Sequence, residues 1–297
     1  MSDNVAVIIP NLNSPLIDRV VAAVRGQKVA ETGANVPIEV IVVGRDQPGL
    51  VPEAENVRFI DTEQPVLAAV ARNRGVAATD ADLLIFLDSD CLPTEEWLAA
   101  HLAAHEAGHQ VVSGGIVPAG HNYWHLTYNL TLFHELLDTN PPGPRDFLAT
   151  LNLSVERTVI ERVGGMDETV NRVEDVEWTT RMRGAGFQPY FWPAASVWHD
   201  HSRTDFRRVW RDCASSGYHM RPVRLRHDDL LLGPSVLRYP RLVLALSPLV
   251  ALGVTARIIW KRPAVIRRFW YTLPGLYLTK IAWCWGASRS EDPAQTL

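Results

Sequence analysis

Short apolar runs alternate with amphipathic stretches along the first ninety residues. Positions 5–10 have strand character, and Ser14 is placed to cap a helix running to about residue 27. Positions 39–43 and 57–60 are further β-branched runs, 65–78 reads as helical, and 83–87 is a fourth strand ending at Asp88. Strands separated by helices imply crossover connections and therefore a mostly parallel sheet. In such sheets ligands bind beyond the carboxyl ends of the strands, so a polar residue just past a strand carries more functional weight than one elsewhere.

Residues 110–200 mix strands and helices less regularly, and the proline-rich stretch 141–144 reads as a mobile surface loop. There is no internal repeat. After about Gly233 the character changes to a nearly uninterrupted apolar run at 242–256, a cluster of Arg257, Lys261, Arg262, Arg267 and Arg268, and an aromatic-rich stretch at 269–285. The apolar run is shorter than the roughly 20 residues a spanning helix needs. Apolar length flanked by Trp, Tyr and Arg fits insertion at a membrane interface, against the simpler reading of a buried helical cap. The pattern thus predicts an α/β body over 1–232 and a helical, apolar and basic extension over 233–297.

Charge sharpens that division. The net value of −4 combines 13 Lys+Arg against 27 Asp+Glu in residues 1–200 with 16 against 6 in 201–297. An acidic body with a basic tail points to contact with an anionic surface. A nucleic-acid partner is not expected. Cys91, Cys213 and Cys284 are odd in number, far apart and without a Cys-x-x-Cys pair, which argues against a disulfide framework or a cysteine-built zinc site. The chain enters its first strand without a basic leader, so no secretory signal is expected. Together these features predict a cytoplasmic protein lying peripherally on the inner face of the cell membrane.

Asp88-Ser89-Asp90 sits directly after the fourth strand. Two carboxylates one residue apart on a turn suit a hard divalent cation, which completes its shell with phosphate oxygens and water. Such a cation neutralises charge building on a departing diphosphate. The plainer reading is a solvated acidic turn.

Ala71-Arg72-Asn73-Arg74-Gly75, Leu84-Ile85-Phe86-Leu87 and Asp88-Ser89-Asp90 resemble family 2 glycosyltransferases of the GT-A fold. The opening Val7-Ile8-Ile9-Pro10-Asn11-Leu12-Asn13 is similar to that family's first strand and nucleotide loop. Asn152-Leu153-Ser154, Gly164-Gly165-Met166-Asp167-Glu168 and Glu174-Asp175-Val176-Glu177 then follow in the family's order. The resemblance covers about residues 5–217 and implies an inverting, metal-dependent transfer of a sugar from a nucleotide-sugar donor to a saccharide or lipid-linked acceptor.

By that resemblance Asp90 is the main ligand of Mn²⁺ or Mg²⁺, and Asp88 meets the ribose or the metal through water. His199 is a third ligand, with His201 in reserve. Asp175 is the general base, with Glu174 and Glu177 raising its proton affinity. Donor recognition falls to Pro10, Asn13, Arg72 and Ser89. The family often shows two acids after its second strand, where this chain has Gly44-Arg45-Asp46, so the base-reading acid shifts to Asp46 or is absent. Acceptor or phosphate contacts fall to Asn152, Glu177 and the basic run Arg207, Arg208 and Arg211, since guanidinium pairs bidentately with phosphate. A solvated basic face is the alternative for the arginines.

Two other classes compete. His105-Glu106-Ala107-Gly108-His109 matches the His-Glu-x-x-His pattern of zinc proteases. Gly108 interrupts the helix that pattern needs, Val111-Val112 begins a new strand, and the reading preferred here is an exposed stripe of His101, His105 and His109. The other class is a catalytically silent, membrane-associated scaffold. Packing alone gives no reason to keep acids at Asp88, Asp90 and Asp175.

Overall fold

The computed structural model describes residues 4–27, 38–231 and 235–291. The chain divides into two compact units, Met1–Val117 with Pro141–Asp200, and Pro118–Asn140 with His201–Leu297. The boundary expected at 232/233 falls outside the described residues. The second unit holds chain on both sides of it and also draws in a mid-chain helix.

In chain order, the first unit begins with β1 (Val5–Leu12), α1 (Ile17–Arg25), β2 (Ile38–Arg45), β3 (Val57–Asp61), α2 (Ala68–Ala77) and β4 (Leu83–Leu87). It continues with β5 (Cys91–Pro93), α3 (Trp97–Glu106) and β6 (Val111–Ile116). The second unit then contributes α4 (Tyr123–Phe133). The first resumes with β7 (Gly143–Pro144), β8 (Asn152–Glu156), α5 (Arg157–Val163), α6 (Glu174–Gly184) and β9 (Tyr190–His199). The remainder of the second unit is α7 (Phe206–Arg226), α8 (Pro240–Ala245), α9 (Ser247–Lys261), α10 (Pro263–Arg268) and α11 (Leu273–Ala287).

The strands form one mixed sheet in the order β3-β2-β1-β4-β8-β6-β9-β5, with β7 also on β9. The run β3-β2-β1-β4 is parallel, β8 is antiparallel to both β4 and β6, and β6 is parallel to β9. Six strands therefore point one way, the mostly parallel α/β arrangement the alternating pattern predicts. Central strands are apolar on both faces: Val5–Ile9 of β1 and all of β4 are buried, as expected where helices cover both sides of a sheet. Helix α1 buries Ile17, Val20, Val21 and Val24, the i, i+3, i+4, i+7 stripe of a helix lying on a core. Its start differs from expectation. Ser14 Oγ accepts from Leu16 N at 3.3 Å and donates to the Ser89 carbonyl at 2.8 Å, so Ser14 tethers the loop and the helix opens at Ile17.

The proline-rich stretch is also more ordered than its composition suggests. Gly143 and Pro144 pair with Phe191 and Tyr190 of β9, and Arg145 stacks its guanidinium 4.7 Å from the Phe191 ring centroid.

The second unit is helical. Asn122 caps α4 by accepting from Trp124 N and His125 N, and Asp205 caps α7 by accepting from Arg208 N at 3.0 Å. Helices α7 and α11 cross closely because small residues face each other. A Cβ on Gly217 would stand 1.9 Å from the Trp283 carbonyl oxygen, and one on Gly286 would stand 1.8 Å from that of Ala214. One core of this unit joins Leu126, Leu130, Leu137, Ile258, Ile266 and Leu276. The apolar run expected at 242–256 forms α8 and most of α9, which leave Leu242, Leu249, Leu252 and Trp260 exposed. Among the described residues no helix is long and apolar enough to cross a membrane.

Candidate active site

Three segments at the carboxyl ends of parallel strands converge in the first unit: the loop after β1, the turn after β4 and the chain after β2. Asn13 adopts φ 55°, a left-handed conformation asparagine tolerates, and its Oδ1 accepts from Gln47 N at 2.8 Å. Asn11 donates to the Arg45 carbonyl and accepts from Ser14 N. With the Ser14–Ser89 bond, these contacts tie the first loop to the segment after β2 and to the acidic turn. Pro10 is half-buried at the end of β1, opposite Val43. Asp46 accepts from Val51 N through Oδ2 at 2.7 Å, while its Oδ1 is buried without a hydrogen-bond partner among the described residues.

Arg72 is the hub of the site. Its α2 position is 3% exposed. Nη2 donates to Asp88 Oδ1 at 2.6 Å and Nη1 to Glu174 Oε1 at 2.7 Å. Burial opposes the guanidinium's charge, but Asp88 and Glu174 outweigh it and raise its proton affinity further. One side chain therefore fixes the acidic turn after β4 to the first turn of α6. Asn73 does the same for the glycine-rich loop, donating to the Met166 carbonyl and accepting from Met166 N, each at 2.9 Å. The sequence motifs that look separate in the chain are thus interlocked through two adjacent residues of one helix.

Helix α6 begins under strain. Val173, its N-cap, has φ 63° and ψ 22°, a left-handed conformation costly for a β-branched residue. It places Glu174, Asp175 and Glu177 in the first turn, where the helix dipole favours anions. Asp175 nevertheless has its pKa raised to about 7, first by burial and then by the Glu174 carboxylate, with Val176 N and Arg72 pulling the other way. Its Oδ1 accepts from Val176 N at 2.8 Å. Glu177, expected to share in raising Asp175, is instead paired with Arg181 at 2.7 Å and buried.

His199 Nε2 stands 3.7 Å from Asp90 Oδ1. Antiparallel pairing of β5 with β9 sets Cys91 opposite His199, and ligand atoms of Asp90, Cys91 and His199 lie within 4.8 Å of one another. The Cys91 thiol is pushed well up by burial and then by Asp90 and Asp88, so it stays protonated. The carboxylate and imidazole are the donors that suit Mn²⁺. Asp88 faces Arg72 and keeps 31% of its side chain exposed. His201 belongs to the second unit, where it stacks on His125 at 3.9 Å and accepts from Arg203 N.

Other expected site residues are placed differently. Asn152 is 0% exposed; it donates to the Ala195 carbonyl and accepts from Trp97 Nε1, both at 2.8 Å. It is a fixed element of the core with no face left for an acceptor. Arg208 bonds to the Ser202 carbonyl, whereas Arg207 and Arg211 line a cleft of the second unit. The exposed histidine stripe is overturned. His101 is buried between Ser154 and Asn152, His105 bonds Ser154 at 2.7 Å, and burial lowers their pKa values to about 3 and about 4. Helix α3 stops at Glu106, and His109 beyond it stacks on Tyr190. The two histidines of the protease-like pattern thus serve separate packing roles.

The sequence reading missed Cys91 and Ser14. Cys91 directly follows Asp90, yet only the strand pairing that sets it against His199 gives it meaning. Ser14 was visible as a helix cap, but its bond to Ser89 depends on two loops meeting.

The chain is 31% identical over 237 residues to the pre-mycofactocin glycosyltransferase of Mycobacterium tuberculosis, covering 76% of this chain and 48% of that protein. It is 27% identical over 138 residues to the glycosyltransferase AglE of Haloferax volcanii, covering 46% and 45%. The chain therefore spans about half the length of these relatives. Among solved structures it resembles the mannosyltransferase PcManGT from Pyrobaculum calidifontis, in complex with GDP-Man and Mn²⁺, at a TM-score of 0.57, 16% identity and coverage of 93% and 85%. It also resembles GalNAc-T7 with UDP, GalNAc and Mn²⁺, at 0.52, 14% identity and coverage of 78% and 51%. These likenesses establish a GT-A-like fold. The model for glycosyl transferase family 2 matches residues 6–164, more than half of the chain and inclusive of the first loop, Arg72 and the acidic turn, and the chain belongs to that family.

Proposed function

We propose that the protein is an inverting glycosyltransferase that moves a sugar from a nucleoside-diphosphate donor to a hydroxyl of a saccharide or lipid-linked acceptor. The observation carrying this reading is Arg72, which fixes Asp88 and Glu174 together and so holds the acidic turn beside Asp175. Asp90 and His199 are the residues that would hold the divalent cation, Mn²⁺ or Mg²⁺. When bound, the cation supplies positive charge to the diphosphate oxygens.

The chain's own groups account for the rest. Asp175, with a pKa of about 7, is a base matched to neutral pH: ionised often enough to accept a proton, and basic enough to remove one. It takes the proton of the acceptor hydroxyl as that oxygen bonds to the anomeric carbon. The bond from that carbon to the diphosphate oxygen breaks with its electron pair, and the nucleoside diphosphate leaves. Attack opposite the leaving group inverts the anomeric configuration. Glu174 keeps the proton affinity of Asp175 high, while Arg72 holds Glu174 and Asp88 in place through its two terminal nitrogens. Asn13, Pro10 and the segment around Asp46 face the nucleoside, with Ser89 joining them to the turn. The buried, unsatisfied Asp46 Oδ1 is suited to accept from a base N–H.

A panel of UDP, GDP and dTDP, each with and without Mn²⁺, tests this by thermal shift, followed by donor hydrolysis. One nucleotide should raise the melting temperature, and only with the metal. At a hundredfold excess over its dissociation constant the stabilisation is about 2.7 kcal/mol. If no nucleotide shifts the transition and no donor is hydrolysed in Mn²⁺, the chain is a silent scaffold and the proposal fails.

A further inference from the structure

The second unit carries a cleft of about 660 Å³, lined by Phe206, Arg207, Trp210, Arg211, Tyr218 and Trp285 among others. Its floor is the close crossing of α7 and α11, where Ala214 and Gly286 both line the space and have no bulk to fill it. Its walls are aromatic. Trp210 packs against Phe206 at 5.6 Å between ring centroids, and Arg289 lays its guanidinium 3.7 Å over the Trp285 ring.

Its charge is one-sided. Arg207, Arg211 and Arg289 reach the cleft, and among the described residues none of the three has a carboxylate partner or a side-chain hydrogen bond. Some other arginines of the unit are matched by acids: Arg203 pairs with Asp212 at 2.7 Å, and Arg262 with Glu135 at 2.6 Å. Among the described residues no acid lines the cleft. Its other polar groups are the hydroxyls of Ser215 and Tyr218. Three guanidiniums without carboxylate partners provide planar, multidentate donors for phosphoryl oxygens. The surrounding rings suit neither inorganic phosphate nor a wholly polar anion, because both would leave that apolar lining in water.

We infer that this cleft is a binding site for a phosphoryl group carried on a single apolar chain, the arginines taking the phosphate and Phe206, Trp210 and Trp285 taking the chain. The assignment rests on the second unit alone and is independent of the transfer reading, so binding here and catalysis succeed or fail separately.

Dodecyl phosphate below its micellar concentration is the probe, titrated into the full chain with tryptophan fluorescence as the readout. It should bind at least tenfold more tightly than inorganic phosphate and than dodecyl maltoside, a neutral head on the same chain. Arg207→Gln and Arg211→Gln should each weaken it at least fivefold, and Trp285→Ala should weaken it while reducing the fluorescence change. Arg19→Gln, an exposed charge of the first unit, should leave it unchanged and so exclude a general charge effect. Equal affinity for inorganic phosphate removes the apolar half of the proposal, and equal affinity for dodecyl maltoside removes the phosphate half. Binding to phosphatidylglycerol vesicles without binding of monomeric dodecyl phosphate would overturn the site in favour of a bilayer surface. Circular dichroism of each variant separates lost binding from lost fold; should a variant unfold, Arg207→Lys and Arg211→Lys, which keep charge but not the planar fork, must weaken dodecyl phosphate, and full retention would overturn the role of the arginines.

Discussion

Arg72 Nη1 lies 2.7 Å from Glu174 Oε1, a contact that joins residues 102 positions apart in the chain. The same guanidinium holds Asp88 with its other terminal nitrogen, so it sits between two anions as both charge and spacer. Removing one partner of a buried ion pair leaves an uncompensated charge and costs about 3–5 kcal/mol. Arg72→Ala should therefore lower unfolding stability by about that amount and abolish transfer. Arg72→Lys keeps the charge but loses the fork, and should recover part of the stability while remaining at least tenfold reduced in kcat. Denaturant titration beside steady-state rates checks both. A lysine variant equal to wild type would show that charge alone suffices.

The pH profile should follow Asp175. Its carboxyl is raised to about 7, by burial first and Glu174 second. If it is the base, the rate at saturating substrate rises as pH passes from about 6 to about 8 and levels off once the carboxylate is ionised. Glu174→Gln removes the neighbouring negative charge and should move the midpoint to lower pH. Asp175→Asn should abolish transfer at every pH while nucleotide binding persists. Stability runs the opposite way. The folded state holds this proton more tightly than the unfolded chain, so the group's contribution is fully present below about pH 4. It is lost as pH rises through about 7. Asp175→Asn should flatten that part of the stability profile.

Metal affinity should separate the three groups gathered at the end of β9. Asp90→Ala and His199→Ala are each expected to weaken Mn²⁺-dependent binding of the nucleoside diphosphate at least tenfold by calorimetry. Cys91→Ser should leave it nearly unchanged, because burial keeps the thiol protonated and a poor ligand. Loss of binding in Cys91→Ser with Asp90→Ala unaffected would reverse the assignment of ligands.

Local pattern and tertiary convergence explain what was legible before the fold was known. Strands β1, β2 and β4 were visible because buried parallel strands are continuous apolar runs, and the acidic turn was visible because it follows one of them. The proximity of Arg72 to Glu174 was not, since no periodicity relates α2 to α6. The histidines at 101 and 105 were misplaced for a related reason. Polar residues at helical spacing read as an exposed face, yet here that face meets Ser154 and Asn152 of β8 and satisfies its hydrogen bonds inside the core. The proline-rich stretch was read as a loop because proline cannot donate to a ladder. Gly143 and Pro144 nevertheless pair at β9, an edge position where one missing donor is tolerated.

The helices after α7 expose large apolar side chains and carry several arginines. Leu249 is 66% exposed, Trp260 82% and Trp270 67%, and Arg241, Arg257 and Arg267 stand among them in the chain. Tryptophan and leucine insert at the headgroup boundary while nearby arginines meet anionic lipid, a combination that gives binding sensitive to salt. The protein is therefore expected to float with vesicles containing phosphatidylglycerol at low salt, to release progressively as salt increases, and to bind phosphatidylcholine vesicles weakly. Trp260→Glu should weaken flotation at all salt concentrations, because it opposes insertion. Arg257→Gln should reduce it chiefly at low salt, because it removes one screened attraction. Absence of flotation at low salt would remove the peripheral membrane location and leave these exposed side chains as a surface for some other partner.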